Sequence, residues 1–141
     1  MPFGAAFMSS PHPNEATTMT STIRGILLVA GLALASPAAA QGIVDEFCTT
    51  ITENDKSASD GFQLTDAASI LRQDRANFHK FGYRDRGDQD DSTFGSSSAR
   101  AQIPAMLDNG QTDPSVLRAI VRGTPRICVE VYPGYLYVYV N

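Results

Sequence analysis

The sequence predicts an α+β fold: three to four helices followed by a C-terminal two-stranded β-hairpin, tied together by one disulfide. Three observations predict it. The tail Arg126–Asn141 alternates in polarity with a period of two. The chain between Thr65 and Gly123 carries apolar residues at helical spacing, with caps and stops. Cys48 and Cys128 are the only two cysteines, and they follow an export signal.

In the tail, Ile127, Val129 and Val131 share one face of a first strand, and Leu136, Val138 and Val140 share one face of a second. A turn at Pro133-Gly134 places Tyr132 opposite Tyr135 and Val129 opposite Val138. This register puts all six aliphatic residues on one side. The other face then shows Cys128, Glu130, Tyr132, Tyr135, Tyr137 and Tyr139. Pro-Gly favours a type II turn, whereas two-residue hairpins prefer the primed types, so a longer loop is the alternative.

At the other end, residues 1–40 read as an extension plus a cleaved secretory signal peptide at 19–40. Arg24 gives a positive start, Ile26–Ala35 is an apolar run, Ser36-Pro37 breaks it, and Ala38-Ala39-Ala40 supplies small residues for cleavage. The apolar run is about 10 residues, short of the ~20 that span a bilayer. Translation starting at Met19 rather than Met1 suits this pattern. The alanine-rich signal looks bacterial, so the expected location is the periplasm or the medium, with no stable membrane anchor after cleavage.

Residues 41–141 then form a single small domain. The whole chain has 11 Lys/Arg and 15 Asp/Glu; without Arg24 and Glu15, ten and fourteen remain, an acidic excess. This argues against nonspecific nucleic-acid binding, which depends on neutralising phosphates, and against an anionic membrane surface as the main partner.

Gln41–Ser57 reads as a first helix, with Ile43, Val44, Phe47, Cys48 and Ile51 on one face. That places Cys48 on a buried stripe, and a Cys48–Cys128 disulfide would pin this helix to the hairpin. A second helix runs from an N-cap at Thr65 to about Lys80, with Asp66 in its first turn, Asp74 interrupting its apolar line and Gly82 as its stop. Ala99–Asn109 forms a third helix, bent or started near Pro104. A short last one is capped by Thr112 or Asp113 and ends at Gly123.

Three groups of residues are candidates for function. The polar stretch Gly82–Ser98 holds Arg84, Asp85, Arg86, Asp88, Asp90 and Asp91, either as a partner-binding surface or as a solvated loop. Asp85, Asp88, Asp90 and Asp91 are also secondary candidates for calcium. Their spacing departs from the EF-hand: counting from Asp88, position six is Thr93 and position twelve is Ala99. His79 is the one histidine beyond the signal; it reads either as a helix-end histidine beside the last carbonyls or, with Asp74, Asp85 or Asp88 to orient it, as a secondary candidate for general acid–base work. Ser96, Ser97 and Ser98 lie in no nucleophile elbow. Tyr132, Tyr135, Tyr137 and Tyr139 form a ladder, read either as core-edge packing partly beneath the first helix or, at Tyr135, Tyr137 and Tyr139, as an aromatic strip suited to recognition, and the last strand's edge offers a route to a homodimer.

No cofactor motif is present, and none is expected. The reading is a small exported binding or inhibitor-type module whose partner is another envelope or secreted protein. The alternatives are a small hydrolase using His79 with a loop aspartate, and a passive envelope component.

Overall fold

The computed structural model describes residues 42–141, so the expected signal peptide and its cleavage site lie outside the described residues. The fold is α+β. A three-stranded antiparallel sheet in the order β1-β2-β3 is built from β1 (Asp45–Thr50), β2 (Arg126–Tyr132) and β3 (Tyr135–Val140). Between β1 and β2 come α1 (Ala67–Ala76), the single turn α2 (Ser97–Arg100), α3 (Ile103–Asn109) and α4 (Pro114–Arg122).

The hairpin has the expected register, with Tyr132 opposite Tyr135 and Val129 opposite Val138. The Pro133-Gly134 loop is tight, and Gly134 takes φ +87°, which a side chain would resist. The hairpin is not alone, however. The helix expected over Gln41–Ser57 is instead β1, followed by a 3-10 turn at Glu53–Lys56. Phe47, Thr49 and Ile51 alternate inward and are fully buried. Thr49, Thr50, Ile51 and Thr52 form a β-branched run, which disfavours helix and suits a pleated surface.

The Cys48–Cys128 disulfide is present, but it joins two strands rather than a helix and a hairpin. The Cys48 N–H donates to Gln89 Oε1, and the Cys48 carbonyl accepts from Gln89 N–H. Both groups therefore point away from β2, which makes Cys48 and Cys128 a non-hydrogen-bonded pair. Such pairs bring side chains closest, and these Cα atoms are 4.0 Å apart.

The inner face of the sheet packs on the helices. Phe47, Ile127, Val129, Val131, Leu136 and Val138 meet Ile70, Leu71, Phe94, Ile103, Leu107 and Ile120 in one core. Helix α1 is capped by Asp66, whose side chain accepts from Ser69 N–H at 2.8 Å, one residue later than the expected Thr65 cap. It runs on as a π turn (Asn77–Phe81) and stops at Gly82, at φ +71°. Asp113 caps α4, with Pro114 in its first turn.

Both sheet edges are covered to different extents. Beside β1, the stretch 85–93 acts as a makeshift fourth strand: Asp88 Oδ1 accepts from Thr50 N–H at 2.9 Å, and Gln89 pairs with Cys48. On β3, Val138 N–H donates to Thr112 Oγ1 at 3.0 Å, and Gly110 lies against the Leu136 carbonyl. Covered edges are poor templates for pairing with another chain, so these contacts limit the edge that the expected homodimer would use.

Candidate functional site

The chain brings polar side chains together in two places, one inside the domain and one on its outer surface.

The inner cluster is organised by Arg75, which is fully buried. Its Nε donates to Asp74 Oδ2 at 2.7 Å, and its Nη1 donates to Asp91 Oδ2 at 3.0 Å and to the Gln89 carbonyl at 3.1 Å. The guanidinium lies over the rings of Phe47 (4.2 Å) and Phe78 (4.7 Å), a cation–π sandwich. Its Nη2 has no hydrogen-bond partner among the described residues. Asp74 Oδ1 accepts from the Thr49 hydroxyl at 2.8 Å, which explains how a threonine sits in the core. Burial pushes the Asp74 carboxyl up to about 7, against the opposing pull of Arg75 and Thr49.

His79 joins this cluster through Asp91, with Nε2 2.7 Å from Asp91 Oδ2. The other Asp91 oxygen accepts from the backbone N–H groups of Thr93 and Phe94. Asp91, rather than Asp85 or Asp88, is thus the partner of His79. Among the described residues, no serine, threonine or cysteine hydrogen-bonds His79. Ser96 is occupied in capping α2, where it accepts from Ala99 N–H.

The loop aspartates do not converge. Asp88 is bonded to the backbone of Thr50 and Asp85, Asp85 receives the Thr52 hydroxyl, and Asp90 is exposed. No group of three or more His, Cys, Asp or Glu that could hold a metal occurs among the described residues. Arg84 stacks over Phe78 at 4.2 Å, and Arg86 is exposed. Arg84, Asp85 and Asp88 do line a small polar pocket of about 160 Å³ with Asp55, Asp74 and Asn77. Burial raises the Asp55 carboxyl, against hydrogen bonds from Thr52 and Asn77.

The outer cluster lies on the sheet face opposite the core. With β1 a strand, no described helix lies on this face. It presents Glu46, Cys48 and Thr50 from β1, Cys128, Glu130 and Tyr132 from β2, and Tyr135, Tyr137 and Tyr139 from β3. Tyr132 and Tyr135 stack at 4.4 Å with their planes 5° apart, and Tyr137 and Tyr139 stack at 6.2 Å. Tyr137 is 40 % exposed. The Tyr132 hydroxyl donates to Glu130 at 2.8 Å, and the Tyr139 hydroxyl donates to Glu46 at 3.1 Å. The bond to Glu130 holds the Tyr132 phenol protonated, up to about 12. Beside this face, Asn109, Gly110 and Gln111 form the wall of a groove of about 560 Å³ floored by Glu130, Tyr132, Tyr135 and Tyr137.

The sequence places the tyrosines and Glu130 on one face, as the register has them. Sequence reading missed Glu46, because a helical β1 scatters that residue away from the hairpin. It also missed Arg75; the only signal was the neighbouring Asp74, a carboxylate on an otherwise apolar stripe. No family model, curated protein or solved structure matches the chain.

Proposed function

We propose that this chain is a small exported bacterial binding module that holds another envelope or secreted protein on the outer face of its sheet. One observation carries the reading: the sheet buries its aliphatic face except at Val140, while Tyr137 on the aromatic face stands exposed and no described helix packs over that face. A two-layer domain can leave an antiparallel sheet solvated on one side, but such faces are ordinarily polar rather than lined by tyrosine. Tyrosine supplies broad contact area at low entropic cost and is enriched where proteins meet. The disulfide supports the exported location, and no described helix is long and apolar enough to cross a membrane.

The hydrolase reading has the His79–Asp91 pair in its favour, yet no nucleophile is placed beside it. Asp91 is instead engaged with Arg75 and two backbone amides, the pattern of a structural anchor.

A photo-crosslinking residue placed at Tyr137, and separately at the exposed Arg118 on α4, tests the proposal in the source cell. The expected result is an adduct to a second protein from position 137 and none from position 118. Equal labelling from both positions, or none from either, would refute it.

A further inference from the structure

The outer face contains a pairing that the fold does not need. Glu46 and Glu130 are directly opposite each other across β1 and β2. Glu46 N–H turns away from β2 to its neighbour Asp45, so this is again a non-hydrogen-bonded pair, the kind that brings side chains closest. Like charges directly opposite on one face destabilise a sheet. No lysine or arginine forms an ion pair with either glutamate among the described residues. Arg126 is the one cation on these strands, but it lies four residues from Glu130, roughly 13 Å along the strand, and donates to the Gly87 carbonyl at 3.0 Å. Among the described residues, the only donors that reach the pair are the hydroxyls of Tyr132 and Tyr139. Tyr137, opposite Glu130 on the third strand, presents an exposed ring beside them.

We infer that Glu46 and Glu130, walled by Tyr132, Tyr137 and Tyr139, form a receptor for a lysine or arginine side chain carried on a basic segment of the partner protein. The inference rests on the outer face being the binding surface. Two carboxylates and an aromatic wall complement a cation twice over, by charge and by the negative faces of the rings. The groove beside Gln111 leaves room for the chain that carries the cation. The chain's net charge of −4 steers a basic partner inward. A second copy fits poorly, since two such faces would bring four carboxylates together. A sugar fits poorly as well, because the Tyr132 and Tyr135 rings cover one another.

The test is a titration of the isotopically labelled protein with a short alternating Arg-Gly peptide, followed by amide chemical shifts, with a Glu-Gly peptide as control. Shifts are expected at Glu46, Cys128, Glu130, Tyr137 and Tyr139 for the basic peptide only. The double variant Glu46→Gln/Glu130→Gln should lose about tenfold or more in affinity, while Asp60→Asn/Asp108→Asn, of identical net charge, should retain it. Equal loss in both variants, shifts scattered over the surface, or no binding at low salt would each overturn the inference. The crosslinking experiment separates the two readings. If the Tyr137 adduct persists at full yield in the Glu46→Gln/Glu130→Gln variant, the basic partner is refuted and the binding face stands. If wild type forms no adduct, the binding face itself falls.

Discussion

Replacing Asp74 with asparagine should remove a defined part of the protein's pH dependence. Asp74 is 3 % exposed, and its two oxygens are taken by Thr49 and by Arg75. Burial still outweighs these partners and raises the carboxyl from 3.8 to about 7. The folded protein thus binds this proton more tightly than the unfolded chain does. Its contribution to stability is complete below about pH 4 and declines as the pH rises toward 7. Each unit is worth about 1.4 kcal/mol, so the difference of about three units corresponds to about 4 kcal/mol across that window. Asparagine preserves the shape, and the Thr49 hydroxyl can turn from donor to acceptor toward the new amide. Asp55, also raised, and Asp113, lowered, contribute to the whole-protein profile. The comparison of wild type with Asp74→Asn cancels Asp113, and cancels Asp55 only in part, because Asp55 and Asp74 repel one another. Urea unfolding followed by circular dichroism at several pH values between 4 and 7.5 supplies the measurement. Wild type should lose stability relative to the variant as the pH rises. A difference that stays constant across the window, or grows in favour of wild type, would show that Arg75 keeps Asp74 ionised and would refute the reasoning.

Replacing Cys48 and Cys128 together with alanine should cost about 4–5 kcal/mol, since the bridge closes a separation of 80 residues. A shift in the urea midpoint worth less than about 1 kcal/mol would show that the β1–β2 ladder holds without it. Gly110→Ala should destabilise by about 3 kcal/mol, the upper part of the range for overpacking, because the added methyl collides with the Leu136 carbonyl oxygen. An unchanged melting temperature would mean that the α3–β3 junction gives way freely.

The parts of the fold that were legible in the sequence are those whose signal is local. The β2–β3 register follows from six aliphatic residues alternating around one Pro-Gly, and each side of the pattern confirms the other. The Cys48–Cys128 bond follows from there being two cysteines in a chain whose expected compartment is oxidising. The α1 stop at Gly82 and the α4 cap at Asp113 are single-residue signals with a direct backbone cause. β1 was hidden because Thr49, a polar residue, takes a core position, so its strand alternation reads as broken. Thr49 can be buried only because Asp74, 25 residues away, accepts its hydroxyl. The order of the 82–98 stretch was hidden for the same reason. Its anchors, Asp91 to Arg75 and Gln89 to Cys48, span 16 and 41 residues. The pairing of Glu46 with Glu130 depended on β1 being a strand in one particular register, so it was invisible as soon as β1 was read as a helix.

Two features of this domain run against the usual economy of charge in a small fold, and they differ in how they are compensated. Arg75 is a cation in the core, yet Asp74 and Asp91 accept its hydrogen bonds, Phe47 and Phe78 pack against its guanidinium, and Asp91 is itself capped by two amides. Removing one member of such a set strands the others without water, which costs about 3–5 kcal/mol. Every element it touches, from β1 through α1 to the 82–98 stretch, is held by it, so its return lies within the fold. The Glu46–Glu130 pair has no such closure. The sheet would be as well ordered with threonine at either position, and two tyrosine hydroxyls offer hydrogen bonds but no positive charge. A charge that the fold compensates from within explains structure. A charge that the fold leaves uncompensated, on an aromatic face that no described helix covers, is what the proposed basic partner would neutralise.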